Sequence, residues 1–302
     1  MSMEYLIILN RSVFPILIIV LIAIVYDKIF KPEIEDIAKL SIYLFTPIMV
    51  FNSFMHYNIS FFVLMKPLEF MLIYTFAIIF IGAIAGKLLK LNSDDRISFI
   101  LSVSMLNIGN YGLPLIYFTF GKNAEEYSML YYIVFNISLS TIAVYMSSPT
   151  GSKEIIKNML KIPIFFSVLL ALVFTTFTIK LPESFMNSIS LMSLAGIPLL
   201  TFVMGLQLSN ITFKPSYIPA VVVATSIRLI ISPFIALFVL YVININGLER
   251  DVALVQSSTP SAMVPLMLNI IFKRPTDLLA SIILSTTVCS AFTLPFIIKF
   301  LT

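Results

Sequence analysis

Two stretches of this 302-residue chain set backbone-breaking and hydrogen-bonding residues among apolar neighbours. The first reads Asn107-Ile-Gly109-Asn110-Tyr111-Gly112-Leu-Pro114, the second Gln256-Ser-Ser258-Thr259-Pro260-Ser261-Ala-Met-Val-Pro265, and the two closing prolines stand 151 residues apart, half the chain length. Proline lacks an N–H and crowds the carbonyl four residues earlier, so Pro114 is expected to free the carbonyl of Asn110 and Pro265 that of Ser261. Gly109 and Gly112 make the first interruption easier, and Pro260 adds a breaker to the second. An opened helix offers N–H groups at one new end, which attract anions, and carbonyls at the other, which attract cations. With the amides of Asn107 and Asn110 and the hydroxyls of Ser258, Thr259 and Ser261 nearby, a small carboxylate could be held without a dedicated basic residue. Tyr111, inside the same stretch, is counted with these contacts. The plainer alternative, kinked helices glued by polar side chains, suits one such motif better than two matched ones.

The elements that carry these stretches follow from composition. Hydrophobic residues make up 59% of the chain and charged residues 11%, against about 25% charged in an average soluble domain. A membrane-spanning helix needs about 20 mainly apolar residues, and ten runs of this kind are expected: 5–26, 38–54, 68–88, 97–120, 124–147, 162–179, 185–208, 217–243, 252–272 and 278–298. The breaks fall in the fourth and ninth. The first run lacks a basic leader and a small-residue cleavage site, so it is read as a retained helix. The predicted fold is an all-α polytopic membrane protein with function confined to the spans.

Orientation and duplication come from charge and proline spacing. Connections after odd-numbered spans carry twelve of the 19 basic residues and the opposite side six, which places both termini outside the cytoplasm of a cell-membrane protein. Pro47 and Pro198 are also 151 residues apart, and Pro32 with Pro182 and Pro67 with Pro219 match within one residue. This predicts two five-span repeats, residues 1–150 and 151–302. An odd number of spans forces the second copy to enter from the opposite side, so the repeat is inverted.

Other residues remain open between functional and structural roles. Pro47 and Pro198 are expected to bend their spans, bringing Asn52 or Gln207 to a cavity wall. Arg228 is the one basic residue deep inside a span, which suggests substrate or gating involvement, or a long side chain reaching an interface or a freed carbonyl. No carboxylate lies near the centre of any span, and His56 is placed in a surface loop. Ion coupling would therefore use sodium held by freed carbonyls and the hydroxyls of Ser104, Ser258 or Thr259. No nucleophile elbow, phosphate-cradling loop, carboxylate dyad or metal-ligand pair is present, so neither an enzyme, a metal nor a cofactor is expected. Scattered basic residues exclude a nucleic-acid face.

The Asn107-to-Pro114 stretch, the Val264-Pro265-Leu266 segment, the Pro47 and Pro198 segments and the ten-span plan resemble the auxin efflux carrier family, which includes prokaryotic malate or malonate permeases. The resemblance implies two inverted five-helix repeats whose fourth and ninth helices cross at Pro114 and Pro265. Asn107 and Asn110 would be the carboxylate contacts. It also implies a scaffold containing helices 1, 2, 6 and 7, a mobile transport unit with elevator-like motion, and homodimers. The chain departs from plant carriers in its short central loop, about residues 149–161, and in having no acidic residue in the middle of the third span. The function expected is secondary transport of small organic anions. A sodium-coupled organic anion symporter resembling bile acid transporters, and a non-transporting membrane receptor or scaffold, are the alternatives.

Overall fold

The computed structural model describes residues 3–57, 59, 61–147 and 163–301. The expected central loop and the boundary between the two repeats lie outside the described residues. Among them the fold is all-helical, without a β-strand, and seven helices are long and apolar enough to cross a membrane. These are α1 (Met3–Phe30), α2 (Ile34–Tyr57), α3 (Phe61–Leu88), α6 (Lys122–Ser147), α8 (Glu183–Ser209), α9 (Pro215–Val242) and α12 (Asp277–Leu301). A shorter apolar helix, α7, runs Pro163–Thr176. The fourth and ninth segments are each divided: α4 (Ser93–Ser104) is followed by α5 (Leu113–Phe120), and α10 (Gly247–Ser257) by α11 (Val264–Ile271).

Large apolar side chains cover much of the exterior, and hydroxyl-bearing residues are buried within the apolar core. Phe76, Phe80, Phe234, Phe238, Phe292 and Phe296 are exposed, while Ser98, Ser102, Ser104, Thr201, Ser232, Thr286 and Ser290 are buried. Lipid rather than water suits such an exterior, since soluble proteins rarely expose continuous apolar surface.

Prolines are absorbed rather than left to break helices. Wide π-type turns at Leu9–Val13, Ser41–Phe45, Ile108–Gly112 and Ile227–Ile231 each end two residues before a proline: Pro15, Pro47, Pro114 and Pro233. In each case the N–H just before the proline reaches the carbonyl five residues back, for example Leu113 to Ile108 and Ser232 to Ile227. The wider turn makes room for the ring beside a carbonyl it would otherwise strike. Pro265 sits in the first turn of α11, where its missing donor would have no partner anyway. The first rupture is therefore displaced from the expected Asn110 to Met105–Asn107, while the second falls between Ser257 and Val264, which includes the expected Ser261. The chain leaves helical geometry at Met105 (φ −94°, ψ 120°) through Asn107 (φ −86°, ψ 56°), and again between Ser257 and Val264.

Two groups of helix packings stand out, and α12, α5 and the turn Ile108–Gly112 join them by packing on α1 and α8. α1 lies along Gly196–Ser209 of α8, and α2 packs on α7 and on the first part of α8. Gly205 meets the backbone of α1 so closely that an added Cβ would sit 2.7 Å from the Val20 carbonyl oxygen. In the other group α4 packs on α3 and α12, and α10 on α9 and α6. Asn92 caps α4 by accepting from the Asp95 N–H at 2.9 Å, and Arg274 ties the start of α4 to the end of α6 through Asp94 (2.5 Å) and the Ser147 carbonyl (2.7 Å).

Candidate functional site

The two interrupted segments meet. The Asn107 N–H donates to the Pro260 carbonyl at 3.0 Å and the Ala262 N–H to the Met105 carbonyl at 2.9 Å, an antiparallel bridge centred on Leu106 and Ser261. Backbone groups that leave one helix are thus satisfied by the other, as a buried environment requires. Ser261 strengthens the crossing: its hydroxyl donates to the Ser102 carbonyl at 2.6 Å and its N–H to Thr286 Oγ1 at 3.2 Å.

A cavity of about 170 Å³ lies against this crossing. Both continuing segments contribute to its wall as they begin, through Asn107, Gly109 and Asn110 on one side and Ala262, Met263 and Val264 on the other. Its polar lining consists of Asn107, Asn110, Asn136, Gln207, Ser41, Thr46 and Tyr132, and among the described residues no charged side chain takes part. The remaining wall is apolar, including Phe135, Ile164, Leu200 and Val203. Asn136 donates to the Tyr132 carbonyl at 2.7 Å and Asn107 to Met204 Sδ at 3.2 Å. Ser41 Oγ and Gln207 Oε1 are buried without a hydrogen-bond partner among the described residues. These are unsatisfied hydrogen-bonding groups in a confined, uncharged space. With two helix starts in its wall, such a space suits a small polar or anionic solute.

Several expected site residues lie elsewhere. Ser258 donates its hydroxyl to the Leu254 carbonyl at 2.6 Å and Thr259 to the Gln256 carbonyl at 2.6 Å, so both bond back to their own helix end, as does Ser104 to Ile100 at 2.7 Å. Serine and threonine near a helix end readily bond to the preceding turn, which takes up their donor protons. Ser261, Tyr111, Gly112, Pro260 and Pro265 are also off the cavity wall. Gly112 faces Thr259 and Gln256 across the crossing.

Asn52 and Pro114 line a second, larger cavity of about 580 Å³, together with Ser53, His56, Tyr57, Lys122, Glu125, Ser190 and Ser193. There Asn52 accepts from Ser190 at 2.9 Å and donates to Ser193 at 3.3 Å. His56 belongs to the last turn of α2 instead of a loop, and its side chain is exposed, as expected. Tyr57 donates to Glu125 Oε2 at 3.0 Å across the gap between α2 and α6.

Arg228 is fully buried at 0% exposure. Its Nε donates to the Thr259 carbonyl at 2.8 Å; one terminal nitrogen donates to Val103 O (3.2 Å), Tyr74 Oη (2.9 Å) and Ser232 Oγ (2.9 Å), and the other to the Ser257 carbonyl. It lines neither cavity. The reading in which its side chain reaches freed carbonyls describes this arrangement.

The model of the family described as "Membrane transport protein" matches residues 8–298. The chain belongs to that family. The resemblance to auxin efflux carriers drawn from the Asn107-to-Pro114 stretch is thereby upheld, and the protein is a membrane transporter. An uncharacterized transporter of Methanocaldococcus jannaschii is 30% identical over 289 residues, covering 91% of this chain and 93% of its own. An uncharacterized transporter of Methanothermobacter thermautotrophicus is 27% identical over 208 residues, 68% of each chain. Asn107, Asn110 and Gln207 on this transporter's cavity wall were legible as polar residues near a break or a proline. Ser41, Thr46, Tyr132 and Asn136 were not singled out, although each is a polar interruption of an apolar run.

Proposed function

We propose that this membrane transporter is a secondary carrier of small organic anions, mono- or dicarboxylates, working by elevator-type alternating access across the cell membrane with both termini outside the cytoplasm. The observation that carries the reading is the uncharged, amide-lined cavity at the crossing, where two helical segments begin. Positive helix ends and neutral amides together stabilise a carboxylate without the desolvation cost of burying a fixed basic partner. Asn107 and Asn110 are the contacts assigned to that carboxylate, with Gln207 and Asn136 completing the polar pole.

The proline spacing of 151 residues and the matching pair of interrupted segments support two inverted five-span repeats, with the fourth and ninth spans crossed. The close packing of α1 on α8 and of α2 on α7 and α8 supports a scaffold, against which α12 and the turn Ile108–Gly112 of a transport unit pack. The cavity lies between them: Ser41, Thr46, Ile164, Leu200 and Gln207 come from the first group, Asn107, Asn110, Asn136 and Met263 from the second.

Reconstitution into liposomes tests the proposal by measuring counterflow of labelled carboxylates. Asn110→Ala is expected to lower flux at least tenfold at subsaturating solute, while Ser258→Ala, away from the cavity, leaves it near the unmodified level. Binding without accumulation would favour a receptor, and unchanged flux in Asn110→Ala would remove this cavity from the pathway.

A further inference from the structure

The helices that end at the crossing point their carbonyls to one place, and a cation already stands there. α4 terminates at Ser104 and α10 at Ser257. Arg228 binds the Val103 carbonyl in the last turn of the first and the Ser257 carbonyl at the end of the second, then continues to the Thr259 carbonyl inside the second interruption. A helix C-terminus carries roughly half a negative charge, so two of them together present about one unit. One guanidinium matches it. Tyr74 and Ser232 complete the cradle and bond to each other, with Tyr74 also donating to the Ser257 carbonyl at 3.0 Å.

Carbonyl clusters at the ends of interrupted membrane helices are places where transporters hold monovalent cations. The hydroxyls of Ser104, Ser258 and Thr259 donate to carbonyls of their own segments, and the Val103, Ser257 and Thr259 carbonyls are taken up by Arg228. Arg228 reaches the cluster from the wide turn Ile227–Ile231 of α9, which lies ahead of Pro233. The planar fork of a guanidinium can serve several carbonyls at once, which a lysine ammonium does less well.

We propose that the Arg228 guanidinium is a built-in cation of the crossing, filling a main-chain carbonyl cluster that would otherwise take an alkali ion, so that sodium is no part of this protein's cycle. The cluster assignment stands on the hydrogen bonds alone. Its consequence for coupling rests on the carrier reading above, so the test reads cation binding without requiring transport.

Melting of the purified full-length protein in detergent is compared in sodium, potassium and choline chloride at matched ionic strength, for the unmodified chain, Arg228→Lys and Arg228→Ala. The unmodified protein and Arg228→Lys are expected to melt at the same temperature in all three salts. Arg228→Ala should melt lower in choline and recover by a few degrees with sodium or with millimolar guanidinium chloride, because a ligand that binds only the folded state raises its stability. A sodium-specific rise in the unmodified protein overturns the proposal. So does a folded Arg228→Ala that responds to neither sodium nor guanidinium. Should that variant not fold, the first two proteins decide: identical melting across the salts supports a resident cation, and a rise in sodium for either refutes it.

Discussion

Gly109→Ala tests whether the cavity at the crossing binds solute. Gly109 lies in the wide turn Ile108–Gly112, and a Cβ added there would stand 2.8 Å from Tyr132 Cε2 and 3.6 Å from both Cδ2 and Cζ. Carbon atoms in contact settle at about 3.5–4.0 Å, so the ring has to move by about 0.7–1.2 Å. Tyr132 is buried and lines the cavity beside Asn136. A methyl group and a displaced ring in a space of about 170 Å³ leave less room for a solute and shift the amide that bonds the Tyr132 carbonyl. Overpacking of this kind costs about 1–3 kcal/mol, of which Ala returns about 0.5–1 kcal/mol by restricting the unfolded chain and favouring the helical turn. The folded protein should therefore lose only about 0–2.5 kcal/mol, while solute binding weakens at least tenfold, the equivalent of about 1.4 kcal/mol. Ligands are first found as members of a carboxylate panel that raise the melting temperature of the unmodified protein; titration of Gly109→Ala with those compounds gives the affinity change. Combining Gly109→Ala with Tyr132→Leu should restore part of the loss, a non-additive result expected for groups in direct contact. Unaltered affinity in a folded Gly109→Ala, or no relief in the double variant, would refute the assignment of this cavity as the binding site.

Gly205→Ala should act on stability alone. Its Cβ would meet Ala23 Cβ at 2.6 Å, the Val20 carbonyl oxygen at 2.7 Å and Val20 Cα at 3.0 Å. Two of those atoms are backbone, so α1 and α8 must separate, at about 1–3 kcal/mol. A lower melting temperature with an unchanged order of preference among carboxylates is expected, and an unchanged melting temperature would contradict it. Glu249, in the first turn of α10, provides a pH test. Burial pushes its carboxyl above the ordinary value of 4.5, opposed by a hydrogen bond from Tyr131 at 3.3 Å and by the charge of Lys66. Because the folded state holds this proton more tightly than the unfolded chain, its contribution is present below the ordinary carboxylate value and is lost as pH rises through the raised folded value. Glu249→Gln should flatten the fall in melting temperature over that window; an equally steep fall in the variant would show that another group titrates.

Much of this arrangement could be read from residue types, and the limits follow a physical pattern. Interruptions were legible because glycine, proline and asparagine are costly in an apolar helix. The first lies several residues before its expected place, since a proline can be carried by a wide turn, while the second falls in the expected stretch. Asn107 and Asn110 reach the cavity as expected because their segment leaves the helix beside them. Ser258 and Thr259 do not, because each hydroxyl has a carbonyl of the preceding turn within 2.6 Å, a local competition that residue type leaves undecided. Ser41, Thr46 and Asn136 join the site from helices distant in sequence. Arg228 was visible as an anomaly, yet its role depends on three carbonyls contributed by two other segments.

The crossing separates the two ends of the interrupted helices by what covers them. Carbonyl ends of α4 and α10 are sealed by one guanidinium, by Ser261 and by the bridge between Leu106 and Ser261. The segments that begin beyond the bridge line a cavity with amides and, among the described residues, no charge. Neutralising only the negative ends leaves the field in the cavity positive on balance, and in a confined apolar surround that field is weakly screened. Under the proposed function, selectivity for an anion would come from backbone dipoles held in place by Arg228, which lines neither cavity. In that reading such a division would also let the anion leave: dipoles and amides bind a carboxylate more weakly than a direct ion pair would, and a carrier needs its cargo released on the far side.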